Sequence, residues 1–118
     1  GENLFLLRDG VIVTPPQTAG ILDGISRRSV IQIAKDLGHE VIERDLARAE
    51  LYLADEVFMC GTAAELCPVR EVDDHPVGTG EPGPVTVAVQ RVFEDALHGR
   101  DPRYRDWLDV VQVPSKAA

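Results

Sequence analysis

Two short stretches of small and hydroxyl-bearing residues have the composition of a backbone anion site. The first is the run LDGIS, residues 22–26, where a helix is predicted to begin. A glycine and a serine at a helix start can present unpaired N–H groups and a hydroxyl to an anion such as phosphate. The alternative is that Asp23 or Ser26 only caps the helix, which is the commoner role of such residues.

The second stretch is Gly61-Thr62-Ala63-Ala64, which lies between two apolar runs that are typical of buried strands. Gly61 permits an unusual turn or a close approach to the backbone. Thr62 offers a hydroxyl and an N–H in the same direction. Together with the first stretch it predicts a clamp on one phosphate, whereas on its own it is more often a tight connection between packed strands.

Other reactive side chains give weaker signals. Cys60 adjoins the second stretch and is predicted to face a ligand, whereas Cys67 is predicted to be a small core residue. No metal site is predicted, because the three histidines are not spaced as metal ligands. These histidines are His39, His75 and His98.

The lysines and the paired acidic residues do not indicate a catalytic site. Lys35 stands in the middle of a predicted helix and Lys116 near the end of the chain. The pairs Asp55-Glu56 and Asp73-Asp74 are predicted to be solvated charges. No nucleophile is paired with a general base in the pattern.

The length and net charge of the chain limit its possible functions. The chain of 118 residues is predicted to form one domain and carries a formal net charge of −8. This acidic balance argues against nucleic acid or an anionic membrane as partner, because both attract basic faces. No apolar run approaches the length of a membrane span, and we expect a reduced, cytoplasmic protein.

The elements that must position the two stretches alternate between strands and helices. Asp9-Gly10 between apolar runs predicts a β-hairpin over residues 3–16. A helix is predicted over 21–38, capped at Asp23 or Gly24, and Gly38 stands where such a helix ends. The remaining predictions are strands at 39–46, 56–60 and 65–72, helices at 47–55 and 84–99, a loop at 73–84, and a terminal extension packed through Trp107 and Leu108. The fold class is therefore mixed α/β.

Four of these segments, taken in order, resemble the branched-chain amino acid aminotransferases of class IV. They are GENLFLLRDGVIVTPP, ILDGISRRSVIQIAKDLG, LYLADEVFMCGTAAELCPVREVD and GPVT, and the resemblance runs from Gly1 to about Leu97. It implies that residues 1–118 form the C-terminal part of the large domain of this enzyme fold. It also implies pyridoxal 5′-phosphate as cofactor, with amino acids and 2-keto acids as substrates.

The resemblance assigns roles to the two stretches found above. It implies that the cofactor phosphate is bound by Leu22, Gly24, Ile25, Ser26, Gly61 and Thr62. It implies that the substrate is met by Cys60, Gly61, Thr62, Ala63 and Ala64. The family usually has threonine at the position of Ser26, so the hydroxyl is kept.

The same resemblance implies that this chain is incomplete as an enzyme. The family's Schiff-base lysine and the acid that meets the pyridine nitrogen match positions before Gly1, and neither Lys35 nor Lys116 matches the lysine. We expect the rest of the enzyme to be a missing partner, the intact protein to be a homodimer, and the chain alone to be inactive. The alternatives are a D-amino acid aminotransferase, an aminodeoxychorismate lyase, or a binding domain that has lost catalysis.

Overall fold

The computed structural model describes residues 2–16, 21–61 and 65–104. In chain order the elements are β1 Glu2–Arg8, β2 Val11–Thr14, α1 Ile21–Asp36, β3 Glu40–Glu43, α2 Arg48–Tyr52, β4 Glu56–Gly61, β5 Leu66–Pro68, β6 Glu71–Val72, β7 His75–Pro76 and α3 Pro84–Leu97. Strands β3-β2-β1-β4-β5 form one sheet in that order, and β6-β7 form a separate hairpin. The mixed α/β class predicted from the sequence is confirmed.

The sheet is antiparallel except at one edge. Strand β1 pairs antiparallel with both β2 and β4, and β4 pairs antiparallel with β5. Among the described strands only β3 runs parallel to its neighbour β2, since α1 carries the chain back across the sheet between them. No helix in the described ranges is long and apolar enough to cross a membrane.

The first hairpin forms where the sequence predicts it. Asp9 and Gly10 connect β1 to β2 with φ angles of 52° and 81°. Positive φ at both central positions matches the twist of paired strands, and glycine tolerates it at no steric cost. The Asp9 N–H also donates to Asp55 Oδ2 at 3.0 Å, which ties this turn to the segment before β4.

The core lies between the sheet and the pair of helices α1 and α3. Phe5 and Phe58, both fully buried, face each other across β1 and β4 and stack with ring centroids 5.0 Å apart. The helices cover this face with buried apolar side chains: Val30, Ile31, Ile33, Ala34, Val89, Phe93, Ala96 and Leu97. A smaller cluster on the opposite face contains Leu6, Val57, Ala54 and Val77. The sheet therefore lies between two apolar layers, one on each of its faces.

Helix α1 begins at Ile21, the first residue of the predicted range, but without the predicted cap. Asp23 and Gly24 both lie inside the first turn, so the caps predicted at these residues are wrong. Its end was predicted well: Gly38 has φ 96°, its N–H donates to Lys35 O, and His39 N–H donates to Ala34 O. This pair of bonds is a Schellman ending, which glycine favours.

The segment after β5 is more broken than the sequence suggested. The strand predicted over 65–72 is two strands, β5 and β6, and the predicted loop contains β7. Val72 pairs with His75, which leaves Asp73-Asp74 as a two-residue turn with φ angles of 50° and 67°. Asp73 accepts hydrogen bonds from Tyr52 and Arg48, and these hold the pKa of its carboxyl below the usual value.

Replacing Asp74 by glycine should stabilise this hairpin. A residue with a side chain is strained at positive φ, and glycine is not. Asp74→Gly should relieve about 1–2 kcal/mol of left-handed strain and cost about 0.5–1 kcal/mol of backbone entropy, so it should raise the free energy of unfolding by about 0.5–1 kcal/mol, measured by urea denaturation. Asp73→Gly is the matched control, since it relieves the same strain but loses the contacts with Arg48 and Tyr52. A destabilising Asp74→Gly would contradict this account of the turn.

Beyond α3, Tyr104 returns the chain to α1. Its hydroxyl donates to Asp36 Oδ2 at 2.5 Å, and its ring is buried. Burial, together with this bond to a carboxylate, raises the pKa of Tyr104 from 10.0 to about 12. Trp107 and Leu108, predicted to pack the terminal extension, lie outside the described residues.

This contact predicts a loss of stability at alkaline pH. The folded protein holds the Tyr104 proton more tightly than the unfolded chain, so the contribution is complete below pH 10 and disappears as pH rises through about 12. The ultraviolet absorbance of tyrosinate should show one tyrosine that ionises near pH 12, and Tyr104→Phe should remove that phase. Ionisation of Tyr104 near pH 10 would contradict the contact, and Tyr52→Phe is the control because it leaves Tyr104 in place.

Candidate functional site

Strand β4 leads directly into the second stretch singled out in the sequence. Cys60 pairs with Leu66 as the last pair between β4 and β5, so the connection spans residues 61–65. On its other side Gly61 pairs with Glu2 of β1. The backbone at Gly61 is thus fixed by the sheet, while Thr62, Ala63 and Ala64 lie outside the described residues.

The two cysteines point to opposite faces of the sheet. Cys60 is 1% exposed and belongs to the core cluster beneath the helices, so its side chain packs in the core. Cys67 pairs with Met59, one step out of phase with the Cys60–Leu66 pair, and is exposed. The prediction of Cys67 as a core residue is wrong, because alternation along a strand turns it away from the helices.

Glu56, at the start of β4, caps α3 from outside the helix. Its Oε1 accepts the Thr86 N–H and the Thr86 hydroxyl, both at 2.6 Å, and its Oε2 accepts the Val85 N–H at 3.2 Å. Glu56 is 7% exposed, so its prediction as a solvated charge is wrong. Helix α3 begins at Pro84, and its N-cap residue Gly83 has no side chain to cap it. A carboxylate meets both the unpaired N–H groups and the positive end of the helix dipole.

Gly83 is required by this cap. A Cβ placed there would overlap the Cγ and Cδ atoms of Glu56. Glycine therefore lets the carboxylate lie close against the helix start. The Gly-Pro pair in the sequence was a usable signal, since Pro at the first helical position after a glycine leaves the cap to be supplied from elsewhere.

Helix α3 also contacts the strand on the far side of the connection. The half-buried Gln90 donates from Nε2 to the carbonyl oxygen of Leu66 at 2.9 Å. Leu66 is the first residue of β5, directly after residues 61–65. Sequence reasoning missed Gln90, because nothing local to a helical glutamine indicates which carbonyl it meets.

Within the first stretch, Ser26 is the residue whose side chain the structure describes. It is fully buried, and its Oγ has no hydrogen-bond partner among the described residues. A buried hydroxyl without a partner costs roughly 1–3 kcal/mol, so such a group indicates an unfilled contact. Val30, one turn further along α1, belongs to the same core cluster as Cys60, which places α1 over the face of the sheet that carries the Cys60 side chain.

The backbone of α1 changes how the first stretch can bind. Leu22 lies in the first turn, where N–H groups have no partner within a helix. Ile25 and Ser26 are the fifth and sixth helical residues, so their N–H groups belong to the internal ladder of bonds. The hydroxyl of Ser26, rather than its N–H, is the donor that the fold leaves for a ligand.

Arg27 ties the neighbouring strand ends to α1. Its side chain is 7% exposed, and its Nη2 donates to Pro15 O at 3.2 Å and to Glu43 Oε1 at 2.7 Å. Thr14 donates to the carbonyl of Leu4 at 2.7 Å, next to Pro15, which has no N–H to offer the sheet. The end of β2, which precedes the first stretch, is therefore hydrogen-bonded to β1 through Thr14 and to α1 through Pro15. Neither Arg27 nor Thr14 stood out in the sequence.

Metal-ligand chemistry has no support in this part of the chain. No group of three or more His, Cys, Asp or Glu side chains that could hold a metal occurs within residues 2–16, 21–61 and 65–104.

A protein family matches most of the chain. Residues 1–72 match the family described as amino-transferase class IV. The chain is 53% identical over 111 residues to the branched-chain-amino-acid aminotransferase of Salmonella typhimurium, a match that covers 94% of this chain and 36% of that relative. It is 47% identical over 112 residues to a probable enzyme of the same name from Aquifex aeolicus, with the same two coverages. The chain thus spans about a third of the length of these relatives.

Solved structures give the same likeness in three dimensions. The fold is similar to the T.th. branched-chain amino acid aminotransferase complexed with N-(5′-phosphopyridoxyl)-L-glutamate, with TM-score 0.83, 50% identity, and coverage of 91% of this chain and 36% of that one. It is similar to the Thermobaculum terrenum enzyme in its PLP form, with TM-score 0.82, 45% identity, and coverage of 91% and 35%.

The cap between Glu56 and α3 should dominate the stability of this end of the molecule. Glu56→Gln keeps the size but loses the charge and one of two acceptors, so it should lower the free energy of unfolding by about 1–3 kcal/mol. Gly83→Ala should lower it by a similar amount, because its Cβ expels the carboxylate. The double variant should lose less than the sum, since both changes break one contact.

Urea denaturation measures all three variants. Glu81→Gln, at an exposed position in the loop before α3, is the matched control and should stay within about 0.5 kcal/mol of the wild type. Additive losses in the double variant would show that Gly83 and Glu56 act independently.

Proposed function

The chain belongs to the class IV aminotransferase family, and we propose from this premise that it forms the cofactor-phosphate side of a branched-chain aminotransferase. In this proposal it binds the phosphate of pyridoxal 5′-phosphate and supplies one wall of the substrate pocket. The parent enzyme transfers the amino group of a branched-chain amino acid to 2-oxoglutarate, giving the 2-keto acid and glutamate. The family resemblance and the high identity to enzymes of this name support the assignment.

The observation that carries the proposal is the buried hydroxyl of Ser26. It has no hydrogen-bond partner among the described residues, and it lies in the segment that matches the family. A phosphate oxygen is a strong acceptor and would satisfy it with a charge-assisted bond. The residue types therefore fit the phosphate group, and Leu22 in the first turn of α1 adds an N–H and the positive end of the helix.

The remaining phosphate contacts follow from the resemblance. We assign them to Gly24, Ile25, Gly61 and Thr62. Contacts through the N–H groups of Ile25 and Ser26 would require the first turn of α1 to open on binding, because in the structure these groups lie within the helix. Phosphate binding and the shape of this turn are then coupled.

The connection after β4 forms the substrate side in this proposal. Gly61, Thr62, Ala63 and Ala64 would offer backbone N–H groups to the substrate carboxylate, and small side chains leave room for it. Cys60 would contribute only its backbone, since its side chain packs in the core. One similar structure is described as a complex with 4-methylvaleric acid, an aliphatic carboxylic acid, and this is the kind of group such a connection would meet.

The chain's own residues bind and orient rather than transfer protons. When bound, pyridoxal 5′-phosphate supplies the electron sink for the reaction. We assign the lysine that moves the proton to a segment outside these 118 residues, since neither Lys35 nor Lys116 stands at the matching position. That segment and a second subunit are the proposed partners, and the chain alone should lack transaminase activity.

Changing the Ser26 hydroxyl should have opposite effects on binding and stability. Ser26→Ala should weaken binding of pyridoxal 5′-phosphate about 10- to 100-fold, the equivalent of one hydrogen bond to a charged group. In the ligand-free protein it should be neutral or stabilising by about 1 kcal/mol, because it removes an unsatisfied buried group. Ser26→Thr should keep the affinity. Equilibrium dialysis and urea denaturation measure the two effects.

Ser29 provides the matched control for this test. It is also buried on α1, three residues further along. Ser29→Ala should leave the affinity for pyridoxal 5′-phosphate within about twofold of the wild type, because a change of this size lies within the scatter of substitutions that touch no ligand. Equal losses of affinity in both variants would sink the assignment of the phosphate to Ser26.

Absence of activity in the chain alone is tested separately. A pure preparation of residues 1–118 should show no turnover of leucine, isoleucine or valine with 2-oxoglutarate. Borohydride reduction with pyridoxal 5′-phosphate should label Lys35 no more than the N-terminal amine, because Lys35 is exposed and an aldehyde forms imines with any accessible amine. Turnover, or a reduced adduct selective for Lys35, would overturn the assignment of the lysine to another segment.

A further inference from the structure

Arg27, the residue after Ser26, is a buried positive charge at the end of the sheet where α1 begins. Only 7% of its side chain is exposed. Its Nη2 donates to Pro15 O at 3.2 Å, just after β2, and to Glu43 Oε1 at 2.7 Å, at the last residue of β3. Strands β2 and β3 are parallel, so the guanidinium lies at the carboxyl ends of both. Ligands of α/β sheets commonly bind outside this end of parallel strands.

The other elements of the proposed phosphate site reach the same end of the sheet. Strand β1 runs antiparallel to both β2 and β4, so its start adjoins the end of each. Glu2, its first residue, pairs with Gly61, the last residue of β4. Helix α1 begins at this end too, because it carries the chain from the end of β2 back to the start of the parallel strand β3. Arg27 therefore lies at the end of the sheet to which the phosphate is assigned.

The charge of Arg27 is only partly neutralised by Glu43. The Glu43 side chain is 53% exposed, so water screens its carboxylate, whereas the guanidinium is nearly dry. Glu43 accepts from Nη2, and the Nε of Arg27 has no hydrogen-bond partner among the described residues. A buried charge acts over a longer distance than a solvated one, because its surroundings screen it less. An anion at the Ser26 hydroxyl would therefore experience a net positive potential from this ion pair.

We propose that Arg27 sets the affinity of the proposed phosphate site through its charge, and that Glu43 moderates this affinity from the solvent side. The inference rests on the proposed function, because the ligand is the phosphate assigned to Ser26. Arg27 acts through space rather than by touching the phosphate. Adjacent residues have Cα atoms about 3.8 Å apart, so the guanidinium lies on the order of 10 Å from a phosphate at Ser26. At that distance and an effective dielectric constant of about 20, one charge changes an affinity about tenfold.

The test changes the two partners of the ion pair one at a time. The probe is pyridoxamine 5′-phosphate, which carries the phosphate but no aldehyde to react with lysines, and equilibrium dialysis measures its affinity for the 118-residue chain. Arg27→Met should weaken binding about tenfold, whereas Arg27→Lys keeps the charge and should stay within about threefold of the wild type. Glu43→Gln should strengthen binding about three- to tenfold, because it removes the negative partner and keeps its size.

The stability of Glu43→Gln should change in the opposite direction from its affinity. This variant leaves the buried guanidinium without its countercharge, so urea denaturation should show a lower midpoint although the affinity rises. A role confined to packing predicts weaker binding in every destabilised variant. The double variant Arg27→Met/Glu43→Gln removes the whole pair, and its affinity should fall between those of the two single variants.

Two neighbouring charges provide the matched controls. Arg28→Met removes an exposed arginine from the next position of α1, and Glu40→Gln removes an exposed glutamate from the other end of β3. Both variants should leave the affinity within about twofold of the wild type, because water screens charges at exposed positions.

The outcomes distinguish this inference from the proposed function. If the wild type binds the probe but Glu43→Gln binds it equally or more weakly, the inference is wrong and the proposed function stands. Binding to Arg27→Lys as weak as to Arg27→Met also refutes the inference, since the charge is then not what matters. A wild-type chain that does not bind pyridoxamine 5′-phosphate overturns the proposed function and the inference with it. If Arg27→Met does not fold, the sign of the change in Glu43→Gln decides.

Discussion

The carboxylate of Glu56 at the start of α3 is the interaction on which the rest of this structure depends. It joins the central part of the sheet to the helix that covers it, through three hydrogen bonds in a nearly dry environment. Without it the helix would begin with unpaired N–H groups over an apolar core. Val89 and Phe93, which fill that core, and Gln90, which reaches β5, are all positioned by where α3 begins.

The two long helices use their first turns in different ways. Helix α3 receives an anion from within the protein, so its N-terminus is not available to a ligand. Helix α1 receives none among the described contacts, and it carries a buried Ser26 hydroxyl without a described partner. The phosphate site that we propose is therefore compatible with a formal charge of −8. It would depend on local dipoles and hydroxyls, which act over short distances, rather than on net charge.

Features encoded within a few residues were predictable from the sequence. The Asp9-Gly10 turn, the Gly38 helix end and the helix predicted over 84–99 each depend on local geometry. The role of Glu56 was not predictable in this way, because its partner Thr86 is 30 residues distant and a lone acidic residue is usually solvated. The prediction that Cys67 is a core residue was wrong for a related reason. The exposure of Cys67 depends on the register of β5, which no local pattern specified.

The residues of the candidate site also differ in how far the sequence alone could indicate them. Ser26 was predicted from its type and its place near the start of a helix, and that helix begins at Ile21, the first residue of the predicted range. The small residues of the second stretch were apparent in the sequence, but favouring a ligand there over a tight connection needed the resemblance, since Gly-Thr-Ala-Ala between strands is ordinary in composition. Such a stretch has few side-chain atoms to pack, so its position must come from the strands on either side. Small residues that would admit the proposed ligand thereby leave the position of this connection to the strands on either side, where Glu56 joins the start of β4 to α3 and Cys60 pairs with Leu66.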